Sequence, residues 1–292
     1  MDFCSNQSDQ HYDAIIVGAG FAGLYMLYRL RALGLRVKVY EAAGNIGGVW
    51  YWNRYPGARC DVESMQYSYS FSEELQQEWE WSERFATQPE ILSYIHHVAD
   101  RFALRPHIEL KTFVRTVKYD ALSESWLVEK ETGERSSAKF CIMATGCLSV
   151  AKQPDIPGIR DFKGDSYFTS TWPHRQVSFK RKRVGVVGTG STAIQAIPII
   201  AEQADELWVF QRTASYSVPA RNAPLTEDQR KAWKERYAEL REEARHTHSG
   251  TLHDFGQKSV FEVSQEERER EFEARWQSGG PGFTRAFNDI SK

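Results

Sequence analysis

The sequence predicts an α/β protein made of two Rossmann-like units of the three-layer ββα/βαβ kind, with a helical insertion in the second. Three observations predict it. An apolar run at residues 12–17 ends in Gly18-Ala19-Gly20-Phe21-Ala22-Gly23. The same order returns later, with an apolar run at 183–187 followed by Gly188-Thr189-Gly190-Ser191-Thr192-Ala193. The interval from the first glycine to the residue closing the next apolar run is also shared: Gly18 to Glu41 and Gly188 to Gln211 both span 23 residues.

In the first unit, residues 12–17 read as a buried strand and residues 21–33 as a helix stopped by Gly34, and residues 35–40 make the next strand. Gly18 permits a turn that most side chains forbid. Gly20 lets a pyrophosphate approach the backbone, and Gly23 lets the helix pack closely on the strand. The free N–H groups of Phe21, Ala22 and Gly23 at the helix start face the phosphates. Glu41, 18 residues past Gly23, is placed to accept hydrogen bonds from ribose hydroxyls. The bland alternative is a glycine turn with no ligand.

The second unit repeats this with informative changes. Ala193 replaces the third glycine, which the motif tolerates. Gln211 stands where Glu41 stood, with Arg212 and Thr213 after it. A carboxylate there favours a free 2′-hydroxyl and repels a 2′-phosphate, whereas a neutral Gln beside an Arg accepts one. FAD is therefore assigned to the first site and NADP(H) to the second, unless Arg212 is an ordinary surface arginine. Two such cofactors in one chain imply electron traffic between them.

The other elements follow from local pattern. Pro89-Glu90 opens a helix to about Arg101, with Ile91, Ile95 and Val98 on one face. Residues 113–119 and 125–129 alternate as strands, with Glu131-Thr132-Gly133-Glu134 as a turn. Residues 140–144 read as another buried strand, ending at Thr145-Gly146, and residues 154–158 as a linker. The domain boundary is set at 150, with a FAD-binding domain over 1–150 and an NADP-binding domain over 151–292. The insertion begins near residue 225. Its first helix has Thr226 and Gln229 as a capping box and a stripe of Trp233, Tyr237, Leu240 and Ala244. Its second runs from near Ser264, with Glu267 as capping partner, to Gly279.

Composition excludes several classes. A net charge of −2 with scattered Lys and Arg gives no nucleic-acid signal. The cluster at residues 180–183 reads first as a solvated strand entry and second as a phosphate contact. No apolar stretch reaches the roughly 18 residues of a membrane span, and residues 1–10 lack the apolar core of a signal peptide. Cys4, Cys60, Cys141 and Cys147 form no C-x-x-C pair, so neither a disulfide framework nor a metal site is expected, and a cytoplasmic setting fits.

Between the units lie Gly47-Gly48-Val49-Trp50 and Tyr55-Pro56-Gly57-Ala58-Arg59-Cys60-Asp61, a GxWxxxxYPGxxxD pattern, and then Phe162-x-Gly164 leading to Trp172-Pro173. With these, the sequence resembles the class B flavin monooxygenases. Within them it is similar to the Baeyer–Villiger group that includes cyclohexanone and phenylacetone monooxygenases. The resemblance implies that Gly47, Gly48, Val49 and Trp50 line FAD, with Asp61 and Tyr67 near its ring and Gly146 where the chain leaves the FAD unit. It implies that Arg59, Cys60 and Asp61 approach the nicotinamide, and that Gly188 to Ala193 with Arg212 and Thr213 hold NADP. It also implies oxidation of a ketone by O2 to an ester or lactone through a C4a-peroxyflavin, with Asp61 as the catalytic carboxylate that positions an arginine. Oligomeric state is left open.

Two departures stand out. Phe168 occupies the place of the family motif's histidine and cannot make an imidazole's hydrogen bonds. His174, six residues on, is out of register and takes no role. The chain is also short for the family, and its end reads as falling inside a helical segment, so it is expected to be a fragment. Arg270, Arg275 and Arg285 do not match the family's catalytic arginine. Two alternatives remain: an N- or S-oxygenating flavin monooxygenase, against which Trp172-Pro173 argues, and a catalytically silent nucleotide-binding fragment.

Overall fold

The computed structural model describes residues 10–148, 150–253 and 255–289; Cys4, the rest of the N-terminal decapeptide as far as residue 9, and residues 290–292 lie outside them. In chain order the elements are β1 Gln10–Val17, α1 Phe21–Ala32, β2 Val37–Tyr40, the short α2 Val49–Trp52, α3 Glu73–Glu78, α4 Gln88–Arg101, β3 Ile108–Glu109, β4 Val114–Asp120, β5 Ser125–Lys130 and β6 Arg135–Met143. They continue with β7 Arg183–Val187, α5 Ser191–Ala201, β8 Glu206–Phe210, α6 Glu227–Glu235, α7 Tyr237–Arg245 and α8 Gln265–Ser278. The chain divides into two compact units. The first takes residues up to Tyr55 and Ile91–Val177, and the second takes Pro56–Glu90 and the described residues from Ser178 onward.

The first unit is built on a six-stranded sheet ordered β3-β2-β1-β6-β5-β4. β1 lies at its centre, parallel to β2 and β6, while β4, β5 and β6 run antiparallel. A strand paired on both sides must be apolar where it is buried, and Ala14, Ile15 and Ile16 in its second half are fully buried, while Gln10 and His11 at its start are exposed. Leu24 and Leu27 of α1 are buried in the same unit, each contributing about 1.5–3 kcal/mol relative to exposure. α4 buries Ile91, Ile95 and Val98, as its periodicity predicted. Tyr40 and Ser136 satisfy each other by a 2.7 Å hydroxyl contact in the interior, and burial raises the tyrosine's pKa.

One expectation for β6 fails. Residues 140–144 were predicted to be buried, but Phe140 and Met143 are 51% and 57% exposed. The cause is register: β5 pairs with β6 only from Arg135 to Ala138, whereas β1 pairs with it up to Met143. Beyond Ala138, β6 therefore has a strand neighbour on one side only among the described residues.

The second unit holds the parallel pair β7-β8, with Arg183 opposite Glu206 and Val187 opposite Phe210. α6 begins at the expected capping box: Gln229 N–H donates to Thr226 Oγ1 at 3.2 Å, and Thr226 N–H donates to Gln229 Oε1 at 2.9 Å. The long helix expected here is broken at Arg236, whose φ of −114° and ψ of 10° are not helical. The break has no glycine or proline behind it. It accompanies the burial of Tyr237, whose hydroxyl reaches Met65 Sδ at 3.6 Å. α8 starts at Ser264, which accepts from Glu267 N–H, and stops at Gly279 with φ +68°. The helical ending predicted for the chain is not found in the described residues: Gly280–Arg285 is a 3-10 turn, and residues 286–289 are bends and turns.

Candidate functional site: two glycine turns

At the first turn Gly18 has φ +104° and donates its N–H to the Tyr40 carbonyl at 2.8 Å. A β-carbon on Gly18 would lie 2.5 Å from the Ala144 oxygen, and one on Gly23 would lie 1.9 Å from the Gly18 oxygen. Both glycines are thus demanded by the fold itself. A β-carbon on Gly48 would lie 3.0 Å from the Gly20 Cα, and Gly47 N–H donates to the Ala19 oxygen at 3.0 Å. The structure therefore brings the Gly47-Gly48 segment onto the first turn. Gly48 caps the short α2, which carries Val49 and the buried Trp50.

No side chain caps α1, so the N–H groups of Phe21, Ala22 and Gly23 carry the helix's partial positive charge without a capping oxygen from a side chain. Glu41 is buried at the turn. Its Oε2 accepts from Ala19 N–H at 2.6 Å and its Oε1 from Ala43 N–H at 2.8 Å. A carboxylate oxygen has two lone pairs, so each retains acceptor capacity for a hydroxyl. Gly146, with φ +70°, is exposed past the end of β6.

The second turn repeats the backbone. Gly188 again has φ +104° and donates to the Phe210 oxygen at 2.9 Å. Gly190 starts α5 with no side-chain cap, followed by Ser191, Thr192 and the half-buried Ala193. Gln211 reaches back as Glu41 does, its Nε2 donating to Thr189 Oγ1 at 2.8 Å. Arg212 and Thr213 follow it and are exposed. β-carbons placed on Gly188 and Gly190 meet nothing within 4 Å among the described residues.

The Tyr55–Asp61 stretch crosses from one unit into the other, and Pro56 onward groups with the second. Gly57 has φ +77°, and a β-carbon there would lie 2.2 Å from the Gln195 carbonyl oxygen. Arg59 pairs with Glu83 at 3.0 Å. Cys60 is buried, and burial pushes its thiol up to about 11, which makes it an inert thiol rather than a reactive one. Asp61 is exposed and Tyr67 half-buried. Nearby in this unit, burial alone would raise the Glu63 carboxyl, but His253 at 3.6 Å and Arg84 at 2.6 Å hold it down at about 2.

Trp172 is buried and packs on Tyr167 with ring centroids 5.4 Å apart, and Phe168 precedes a 3-10 turn over Thr169–Thr171. His174, given no role by its register, stacks on Tyr51 at 4.7 Å and Trp52 at 6.2 Å. Partial burial and Arg54 lower its pKa. Arg275 and Arg285 are engaged locally: Arg275 with Glu271 and the Gly282 oxygen, Arg285 with Ser249 and the His253 oxygen. Motif reading missed Ala144, which closes on Gly18, and Gln195. Gln195 does leave a sequence signal, as the one polar residue of α5 after its first turn.

Residues 15–275 match the family described as pyridine nucleotide-disulphide oxidoreductase. The chain is 40% identical over 282 residues to a phenazine N-monooxygenase from Lysobacter antibioticus, covering 96% of this chain and 52% of that protein. It is likewise 40% identical over 284 residues to a cyclohexanone 1,2-monooxygenase from Acinetobacter sp, covering 96% and 52%. Among solved structures it is similar to an oxidized steroid monooxygenase bound to NADP, at 54% identity and a TM-score of 0.92, over 96% of this chain and 54% of that one. It is also similar to OTEMO in complex with FAD and NADP, at 39% identity and a TM-score of 0.91, over 96% and 54%. The chain thus spans about half the length of the curated relatives it matches. Among the described residues no helix is long and apolar enough to cross a membrane.

Proposed function

The chain belongs to the pyridine nucleotide-disulphide oxidoreductase family, and on that premise we propose that it supplies the FAD- and NADPH-binding part of a flavin monooxygenase that carries out Baeyer–Villiger oxidation of a ketone. The disulfide half of the family's description finds no C-x-x-C pair in this sequence. The observation that carries the proposal is the contrast at the strand ends. A buried carboxylate, Glu41, closes the first turn, and a neutral amide followed by Arg212 closes the second. Solved relatives that hold FAD and NADP support it.

The first turn fits a flavin dinucleotide, because α1 starts there without a side-chain cap and the buried Glu41 keeps acceptor capacity at its edge. Gly18, Gly20 and the N–H groups of Phe21 to Gly23 would meet the pyrophosphate, and Glu41 the ribose hydroxyls. Gly47, Gly48, Val49 and Trp50 would line the same cofactor within residues 1–150, and Gly146 would border it. Gly188, Thr189, Gly190, Ser191, Thr192 and Ala193 would hold the NADP pyrophosphate within 151–292, and Arg212 and Thr213 its 2′-phosphate. Arg59, Cys60, Asp61 and Tyr67 would lie toward the reacting rings. There Asp61 would act by holding an arginine cation in place, and Arg275 and Arg285 are committed elsewhere. When bound, the flavin supplies the oxygen chemistry and accepts hydride from the nicotinamide. Free thiols at Cys60, Cys141 and Cys147 suit a reducing cytoplasm.

Anaerobic mixing with NADPH tests the proposal. Loss of the oxidised-flavin absorption band supports it, and a chain that binds both dinucleotides yet never bleaches would be the silent form. N-oxygenation is a second reading, favoured by the 40% identity to a phenazine N-monooxygenase. Product analysis with a cyclic ketone against a phenazine separates the two.

A further inference from the structure

Gln195 lies in a helix that is otherwise apolar from Ala193 to Ala201, and it is half-buried rather than solvated. Its amide makes two bonds to a single residue. Oε1 accepts from Arg59 N–H at 3.3 Å, and Nε2 donates to the Arg59 carbonyl at 3.1 Å. A side chain here does what a neighbouring strand would do, in a stretch whose sheet-like pairing is otherwise the isolated bridge from Arg59 to Thr87. Two residues earlier the chain lies directly on α5, where Gly57 admits no β-carbon. The Arg59 guanidinium is held separately, by Glu83 at 3.0 Å and the Phe85 oxygen at 3.4 Å. Asn222 braces that end, donating to Glu83 and accepting from Phe85 N–H at 2.9 Å. The backbone of Arg59 is thus fixed by α5 and its side chain by a separate cluster.

We infer that Gln195 is a positioning residue for the coenzyme's nicotinamide end: it sets the Arg59–Asp61 stretch at a fixed place relative to the helix whose N-terminus meets the pyrophosphate. This rests on the proposed function, which sends Arg59 to Asp61 toward the nicotinamide and Arg212 toward the 2′-phosphate. On this reading Gln195 acts through Arg59, whose N–H and carbonyl it holds. The role is specific to an amide. Met has the length but neither bond, and Glu keeps the acceptor yet sets a carboxylate against the Arg59 carbonyl. In either case polar backbone loses its partner, which is costly where water is scarce.

Calorimetry on the full chain with two ligands tests this: NADP+, and 2′-phospho-ADP-ribose, which has the same phosphates and no nicotinamide. The wild type is expected to bind NADP+ more tightly than the fragment. Gln195→Met and Gln195→Glu are expected to weaken NADP+ by about threefold to tenfold, the worth of one or two hydrogen bonds, with the fragment unchanged. Arg212→Ala is expected to weaken both ligands alike. Hydrogen exchange on the wild type carries the test without a variant: NADP+, and not the fragment, is expected to slow exchange at residues 57–61. Equal loss of both ligands in Gln195→Met, equal wild-type affinity for the two, or exchange at 57–61 that ignores NADP+ would overturn the inference. A wild type that binds neither ligand would overturn the functional reading, and this inference with it.

Discussion

Gly18 and Gly188 hold the same φ of +104°, and each donates its N–H to the last residue of the following strand. Their surroundings differ. A β-carbon at Gly18 would strike the Ala144 oxygen at 2.5 Å, while one at Gly188 would meet nothing within 4 Å among the described residues. The third motif position repeats the contrast. Gly23 is pressed against the Gly18 oxygen, and its counterpart Ala193 carries a methyl without conflict. The strands follow suit. β1 buries Ile15 and Ile16 completely, while Val187, Trp208 and Phe210 of the β7-β8 pair are 71%, 56% and 55% exposed. One motif thus answers to two demands. In the first unit the protein's own packing requires Gly18 and Gly23; in the second, Gly188 is required by its left-handed backbone, and for Gly190 only the closeness of a ligand remains as a reason.

The largest effect that would break this comparison comes from Gly23→Ala. The helix must leave the strand to admit the methyl, so a stability loss of about 3 kcal/mol is expected, with loss of FAD, by denaturant titration and flavin absorbance. Unchanged stability would show that the first turn is not closed by packing.

Acid sharpens the contrast next, since the second unit leans on a half-buried ion pair, Glu63 with Arg84. Glu63 has a folded pKa of about 2, below its ordinary value of 4.5. A depressed carboxylate stabilises fully above its unfolded pKa and loses that contribution as pH falls through the folded one. On the order of 3 kcal/mol should therefore vanish between about pH 4.5 and 2. Glu63→Gln is expected to remove that acid dependence, read by pH-dependent unfolding of the second unit's tryptophans.

Gly190→Ala separates fold from ligand. With no neighbour within 4 Å among the described residues and φ of −75°, an alanine is accommodated, so stability should change by about 1 kcal/mol or less. NADP+ affinity should fall by about tenfold or more as the methyl meets the pyrophosphate. Smallest of all, Ala193→Gly is expected to cost up to about 1 kcal/mol by helix propensity alone, checked by thermal unfolding. These two results would mark Gly190 as kept for the ligand.

Much of this was legible in the residues. Periodicity and punctuation placed α1, α4 and α8 within a few residues, because α1 and α4 bury an apolar stripe and α8 runs from its Ser264 cap to Gly279; most strands were placed too, although β6 begins earlier than expected, at Arg135, and the two-residue β3 gave no signal. Both turns were legible because only glycine reaches φ +104° easily. The break at Arg236 was not, since no local rule marks it and tertiary burial of Tyr237 accompanies it. The exposure of Phe140 and Met143 was hidden because an apolar run does not reveal where a partner strand stops. The membership of Pro56–Glu90 in the second unit was hidden too, since it depends on long-range ties such as Gln195 to Arg59.

The central claim is that one chain offers a free-hydroxyl site at Glu41 and a 2′-phosphate site at Arg212. Calorimetric titration of the purified chain with FAD, NADP+ and NAD+, repeated on Arg212→Ala, tests it most directly. The account predicts one FAD, one NADP+ favoured over NAD+, and an Arg212→Ala chain that keeps FAD but loses the preference by about tenfold. Binding of neither dinucleotide, or an undiminished preference for NADP+ in Arg212→Ala, would contradict it.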